Sequence, residues 1–364
     1  MAGGPGRPEG DELARVKIIG ATGYGGLGII ELLLRHPGFE LTALAASQEV
    51  GRPVSEVWPY LEGYCDLPLL AADSPEFIAA EAEAVVSATP DGVGQLFAGR
   101  ELAAGRRFLD YSGDFRFDSL DIYREYARRL GREPIHRAPE LLPRTVYGLA
   151  ELHREEIAAA RLVGNPGCFA VSCLLGLAPA VRHRLIRPEG IICDCKSGVS
   201  GAGKKPSPGH HFPERYDSMG AYRLSGHQHV LEIERELSLL AGRDIRVSFT
   251  PQAVPMCRGI MSCLYGRLPE GVGQGEILAA YRDHYAREPF VLVGDASRPA
   301  STADVRGGNR CLVTVAADER TGTFRVVSHL DNLVKGQAGS ALQNLNLMFG
   351  YPEDLGLAYP GPHP

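Results

Sequence analysis

Residues 16–19 (VKII) run directly into Gly20-Ala21-Thr22-Gly23-Tyr24-Gly25-Gly26, and an apolar periodic stretch, LGIIELLLRH, follows until Pro37 stops it. A β-type run, a glycine turn and a helix in that order leave the chain few options, because the glycines let the helix start close against the strand. Gly20, Gly23 and Gly26 form a spacing variant of the GxGxxG fingerprint, in the strand–turn–helix setting that gives the fingerprint its meaning. Backbone N–H groups and the dipole at such a helix start suit a pyrophosphate. The turn formed by Gly20, Thr22, Gly23, Tyr24, Gly25 and Gly26 is therefore the expected dinucleotide cradle.

Further strands are expected at 40–46, at 84–88 before Thr89-Pro90-Asp91-Gly92, and at 107–110. Alternation of these runs with helical stretches predicts a parallel, doubly wound sheet. Chains that bind NAD usually present an acid to the ribose 2′-hydroxyl about 20 residues beyond the glycine turn. Here the second strand ends at Ser47-Gln48, with Arg52 close by, and these groups receive a 2′-phosphate without the repulsion of a carboxylate. NADP is thus favoured over NAD, with Glu49 as the contrary detail.

A length of 364 residues suits two domains, and 44% hydrophobic with 23% charged residues is the balance of a globular chain. The Gly/Pro-rich, charged start has no apolar core segment and does not read as a secretory signal, so a cytoplasmic protein is expected. A net charge of −6 gives no general attraction to nucleic acid or anionic membrane, so any anion must be held locally. The eight cysteines (65, 168, 173, 193, 195, 257, 263 and 311) include no CxxC pair and read as free thiols.

In the second half a helical run, FAVSCLLGLAPAV, follows Asn165-Pro166-Gly167-Cys168. A strand at 190–196, a Gly/Pro/His-rich loop from 198 to about 220 and a helix near 230–241 come next. Strands at 245–250, 259–266, 311–317 and 323–329, with DERTGT as a hairpin turn, predict a mostly antiparallel sheet with flanking helices. The segment from Val334 to Phe349 has helical spacing.

Cys168 falls in the first turn of the expected helix, where the dipole and unpaired N–H groups lower a thiol pKa and favour a nucleophile. Its proton partner is sought in His227-Gln228-His229, whose rings share a face if the segment is extended; the residues do not choose between the two. His210/His211, His227/His229 and Cys193/Cys195 match no usual zinc spacing, and no metal site is expected. Gly198 to Lys204 fits GxxxxGK, but Lys205 stands where Ser or Thr must ligate magnesium, which leaves an anion-binding loop rather than a P-loop.

Taken in order, GATGYGG (20–26), YSGDFR (111–116), YGLAEL (147–152), GNPGC (164–168), KSGVSGAGKK (196–205), GHQHVLEIE (226–234), FTPQAVPMCRGI (249–260) and DNLVKGQAGSALQN (331–344) resemble the N-acetyl-γ-glutamyl-phosphate reductases of arginine biosynthesis. The resemblance implies an α/β chain: a Rossmann-type NADP-binding domain and a catalytic domain of the glyceraldehyde-phosphate/semialdehyde dehydrogenase type. It places a flexible start at 1–13, the NADP domain at 14–164 plus 335–364, and the catalytic and oligomerisation domain at 165–334. It also implies Cys168 as nucleophile, His229 or His227 as acid/base, and Arg116 as a phosphate ligand. Ser112, Asn165, Ser200, Lys204 and Arg258 become substrate candidates, and Gly336-Gln337-Ala338 the nicotinamide end. A homo-oligomer, dimer or tetramer, is implied too. Asp91 and Ala150 depart from the family's usual His and Pro. Aminoadipyl-phosphate reductase and aspartate-semialdehyde dehydrogenase share the thiol chemistry and are the near alternatives, and a non-catalytic NADP-binding regulator is the alternative of another class.

Overall fold

The computed structural model describes residues 13–362. The flexible start expected over 1–13 lies outside the described residues, apart from its last position. The chain divides into two compact units: one contains residues up to Asp118, His136–Asn165 and Ala341–Ala358, and the other Ser119–Ile135, Pro166–Ser340 and the residues from Tyr359.

In the first unit seven strands form one sheet: β1 (Ala14–Ile19), β2 (Phe39–Ala45), β3 (Leu69–Leu70), β4 (Ala84–Ser87), β5 (Arg107–Asp110), β6 (Val146–Tyr147) and β7 (Leu162–Gly164). Their order is β3-β2-β1-β4-β5-β7-β6, and every pairing is parallel. The central strands are continuous apolar runs because helices cover both faces of such a sheet: Val16, Ile18, Val85, Val86, Phe108 and Leu109 are fully buried. The doubly wound reading holds, while the short strands β3 and β6 extend its edges.

One residue of β1 breaks that pattern. Lys17 is completely buried, with Nζ 3.1 Å from Glu101 Oε2 and 3.1 Å from the Phe77 carbonyl it donates to. Burial pulls the Lys17 ammonium below its ordinary range despite this partner. Burial also works against an ionised Glu101, yet Arg100 (2.6 Å), Lys17 and Arg106 (2.7 Å) together hold its carboxyl below the ordinary range. Among the described residues Glu101 is the carboxylate shared by these three cations, so its loss should leave a buried ammonium without compensation. Glu101→Ala is expected to cost about 3–5 kcal/mol in urea unfolding; a cost below ~1 kcal/mol would show that the cluster contributes little.

The second unit holds β8 (Ile191–Ser197), β9 (Gly220–Ala221), β10 (Val247–Ala253), β11 (Ile260–Arg267), β12 (Val291–Asp295), β13 (Cys311–Asp318) and β14 (Thr323–Leu330) in the order β12-β13-β14-β11-β8-β10-β9. The sheet is mixed: β8/β10 and β12/β13 run parallel, and the other ladders run antiparallel. The expected hairpin joins β13 to β14 with Cys311 opposite Leu330, and Gly322 takes the positive φ (+61°) of its turn.

The helix Cys168–Arg182 lies against β11 and β14 and is buried from Phe169 through Val181. Pro179 lacks the N–H that would bond the Leu175 carbonyl. Tyr285 Oη donates to that carbonyl at 2.5 Å, and Tyr281 Oη donates to Gly176 O at 2.6 Å. Any Cβ at Gly176 would stand 2.2 Å from Leu264 Cδ1, so this glycine lets the helix close on the sheet. The helix that presents Cys168 is therefore fixed along its length.

Candidate active site

In the first unit the turn after β1 narrows where the fingerprint predicts. Gly20 adopts φ +92°, and a Cβ there would fall 2.4 Å from the Ala88 carbonyl oxygen. A Cβ at Gly26 would fall 2.2 Å from Gly20 O, so the helix Tyr24–Leu33 can approach the turn only with glycine at that position. Gly23 is its N-cap, with no side-chain cap and no acid in the first turn. Thr22, Tyr24 and Gly25 lie at this start, and the cradle fits a dinucleotide pyrophosphate. Ser47, Gln48 and Arg52 are exposed beyond β2. Arg52 is engaged by Glu49, which sits at φ +62°, and by Glu56 at 2.7 Å.

The loop after β5 carries Ser112 and Arg116. Arg116 is buried, donating from Nε to Asn165 O at 2.7 Å and from Nη2 to Tyr111 O at 2.6 Å. Asn165 donates its own N–H to Asp110 O at 2.7 Å, and Asn344 Nδ2 donates to Asn165 Oδ1 at 3.2 Å. A Cβ at Gly164 would overlap the Phe115 carbonyl at 1.9 Å, so the end of β7 can lie against the Arg116 loop only with glycine at this position.

In the second unit Cys168 is the first residue of its helix, half-buried, after the N-cap Gly167, again without a side-chain cap or an acid in the first turn. Gly167 donates its N–H to Glu232 Oε2 at 2.9 Å. His229 Nε2 occupies the space a side chain at 167 would need, 2.3 Å from the position of its Cβ, and lies 3.9 Å from Glu232 Oε1. An imidazole backed by a carboxylate thus packs on the residue preceding the thiol.

The two histidines are not on an extended segment. Gln228 is helical and His229 opens the helix His229–Ala241, whose N-terminal turn folds the rings together at 4.7 Å between centroids. His227 Nδ1 accepts the His229 N–H at 3.2 Å. Burial, then the neighbouring His229 and Arg223, lower the His227 pKa to about 2, so this ring is neutral. Tyr222 stands beside the His227 ring (5.8 Å), and burial, followed by the charge of Cys168, pushes its phenol up. Sequence reasoning passed over both Tyr222 and Glu232. Glu232, three residues beyond His229 on one helix face, left an i,i+3 signal; Tyr222 left none.

Of the other candidates, Gly336 packs on Cys168: its Cβ would lie 2.8 Å from Cys168 Cβ. Gly336, Gln337 and Ala338 belong to a π-helical turn, Val334–Ala338, which Asp331 organises by accepting the Leu333 and Val334 N–H groups. Arg258 pairs with that Asp331 at 3.1 Å, Ser200 Oγ accepts from Asn332 Nδ2 at 3.0 Å, and Lys204 is exposed. Arg258 and Ser200 thus brace the turn beside Cys168.

The semialdehyde dehydrogenase NAD-binding domain model matches residues 15–160, and the semialdehyde dehydrogenase dimerisation domain model matches 168–332. An N-acetyl-gamma-glutamyl-phosphate reductase of Desulforudis audaxviator is 42% identical over 97% of this chain and 100% of the relative. That of Syntrophobacter fumaroxidans is 44% identical over 95% and 98%. Among solved structures, aspartate semialdehyde dehydrogenase II of Vibrio cholerae superposes with TM-score 0.71 at 17% identity, covering 93% of this chain and 99% of that one. The Candida albicans aspartate semialdehyde dehydrogenase with NADP gives 0.67 at 16%, which speaks for the fold alone. On the reductase relatives, matched at over 40% identity from end to end, the chain belongs to the N-acetyl-gamma-glutamyl-phosphate reductase family of semialdehyde dehydrogenases.

Proposed function

We propose that the protein reduces N-acetyl-γ-glutamyl phosphate to N-acetylglutamate 5-semialdehyde with NADPH and releases phosphate, as a step of arginine biosynthesis. The observation that carries the chemistry is Cys168 at the start of a fixed helix, one residue from the glycine on which His229 packs. Cys168 attacks the acyl carbon as thiolate, favoured by the helix dipole, and the C–O bond to phosphate breaks to leave a thioester. N–H groups of the helix start stabilise the oxyanion. When bound, the nicotinamide supplies hydride to the thioester carbonyl. His229 protonates the resulting oxyanion and takes that proton back as the thiohemiacetal collapses to aldehyde and thiolate. Glu232 orients the ring, and neutral His227 fixes the backbone that carries it.

Arg116 binds the phosphate group, Ser112, Asn165 and Lys204 are assigned to the substrate, and Gly20 to Gly26 hold the cofactor. Ser47, Gln48 and Arg52 receive the 2′-phosphate, for which Arg52 must leave Glu49 or Glu56. A homo-oligomer, dimer or tetramer, assembled through the second unit agrees with the dimerisation model matched there. No helix among the described residues is long and apolar enough to cross a membrane, and a cytoplasmic location is inferred for a biosynthetic reductase. The test runs the reaction in reverse with phosphate, comparing N-acetylglutamate, aminoadipate and aspartate semialdehydes with NADP and NAD. Since one methylene is worth roughly 10–200-fold, kcat/KM should be highest on N-acetylglutamate semialdehyde with NADP by at least ~10-fold. A better aminoadipate or aspartate substrate would overturn the reading.

A further inference from the structure

Asp110, at the end of β5, has no place in the chemistry above and is completely buried. Its Oδ2 accepts a hydrogen bond from Ser112 Oγ, which in turn accepts the Asp114 N–H at 3.1 Å. Among the described residues no hydrogen bond of normal geometry reaches Oδ1. Gly94 closes over that oxygen so tightly that a Cβ there would lie 2.1 Å from it, and Ser87, bonded to Thr89 Oγ1 at 2.8 Å, stands beside it. An ionised carboxylate in this position would be a fully buried charge met by no backbone N–H of the described residues, with only the hydroxyls of Ser112 and Ser87 beside it. The neighbouring Asp114 is furnished differently, taking the Gly92 N–H at 2.8 Å and the Gln95 N–H at 3.4 Å.

We propose that Asp110 works as a neutral carboxylic acid and is the positioning residue of the Ser112–Arg116 loop, setting Arg116 for the phosphate group. The inference rests on the proposed function only in naming phosphate as the group Arg116 meets. The connections are continuous. Asp110 holds Ser112 through its side chain and Asn165 through its carbonyl, and Ser112 caps the turn Gly113–Phe115. Arg116, the next residue, reaches back to the carbonyls of Tyr111 and Asn165. Asp91 ties the loop from the other side by accepting the Gly113 N–H at 2.6 Å.

The charged and titratable groups around Asp110 agree with a held proton. Burial first, then the charge of Asp114, pushes the Asp110 carboxyl well above the usual range, against which Ser112, Ser87 and Arg116 act. Asp114 is itself raised, by burial and by Asp91. His136, whose Nε2 is 2.9 Å from Asp114 O, is lowered by burial and brings no positive charge. Ionising Asp110 would place two carboxylates against one loop and pull on Arg116, so loss of its proton at alkaline pH should loosen phosphate binding.

The test uses Asp110→Asn and Asp110→Ala in the full chain. Infrared spectra of the wild type at neutral pH should contain the carbonyl stretch of a protonated buried carboxyl that Asp110→Asn removes. With semialdehyde, NADP and inorganic phosphate, Asp110→Ala should raise the phosphate KM at least about tenfold with kcat changed less than ~3-fold. Asp110→Asn should restore that KM to within ~3-fold at neutral pH and lose kcat/KM for phosphate less steeply than the wild type above neutrality. Titration of phosphate and of Cys168 is common to both proteins and cancels in the comparison. Absence of the infrared difference overturns the neutral acid, and an unchanged phosphate KM in Asp110→Ala, or identical pH profiles, overturns the positioning role. Should the wild type reduce no acyl phosphate, the proposed function fails, and the infrared difference still decides the state of Asp110.

Discussion

Cys168→Ser should lower kcat for acyl-phosphate reduction by at least ~10³-fold, because an alcohol is barely ionised where the thiol is and the covalent step needs the anion. The substitution is structurally mild. Serine is smaller than cysteine at a half-buried helix start, and Gly336, the residue pressed against the Cys168 Cβ, need not move. Thermal unfolding and the affinity for NADPH should therefore stay at wild-type values while turnover collapses. A double readout of this kind separates a missing nucleophile from a damaged fold. Retention of activity within ~10-fold would contradict the thioester route.

Features that the sequence revealed share a cause: they require a particular residue type at a point of contact. Gly20 and Gly26 were legible because a carbonyl occupies the space where each Cβ would stand, and Cys168 because a helix start follows an Asn-Pro-Gly run. Side-chain partnerships across distant segments left no such mark. Lys17 reads as a polar interruption of an apolar strand until Glu101 is beside it. Arg116 and Arg258 were marked as anion ligands only through the family resemblance, and nothing in the sequence showed that Arg116 also donates to two backbone carbonyls or that Arg258 pairs with Asp331. The helix Gln274–His284 was not anticipated because it buries only Ile277 and Tyr281, too few to show a period. The parallel pairings β8/β10 and β12/β13 depend on crossovers, which strand propensity does not encode. The two histidines were found by proximity in sequence, but their unequal roles emerge only with Gly167 and Glu232 in place.

That inequality has a measurable form. His229→Gln should cut kcat by roughly 10²–10⁴-fold, the usual loss when a positioned acid/base is removed. His227→Gln should cost no more than ~10-fold, because a glutamine carbonyl can accept the His229 N–H that His227 Nδ1 now accepts at 3.2 Å. The pH behaviour separates them further. His227 is lowered to about 2 from its ordinary 6.5, so it carries no proton in the working range, and its replacement should leave the acid limb of the kcat profile unmoved. Stability should respond where activity does not. As pH falls below 6.5 the unfolded chain protonates this histidine while the folded chain does not, so the wild type loses stability progressively toward about pH 2. His227→Gln removes that drain and should lose less melting temperature than the wild type between neutral pH and pH ~5. If instead His227→Gln abolished turnover and His229→Gln did not, the acid/base would be His227, and the packing of His229 on Gly167 would be a matter of structure alone.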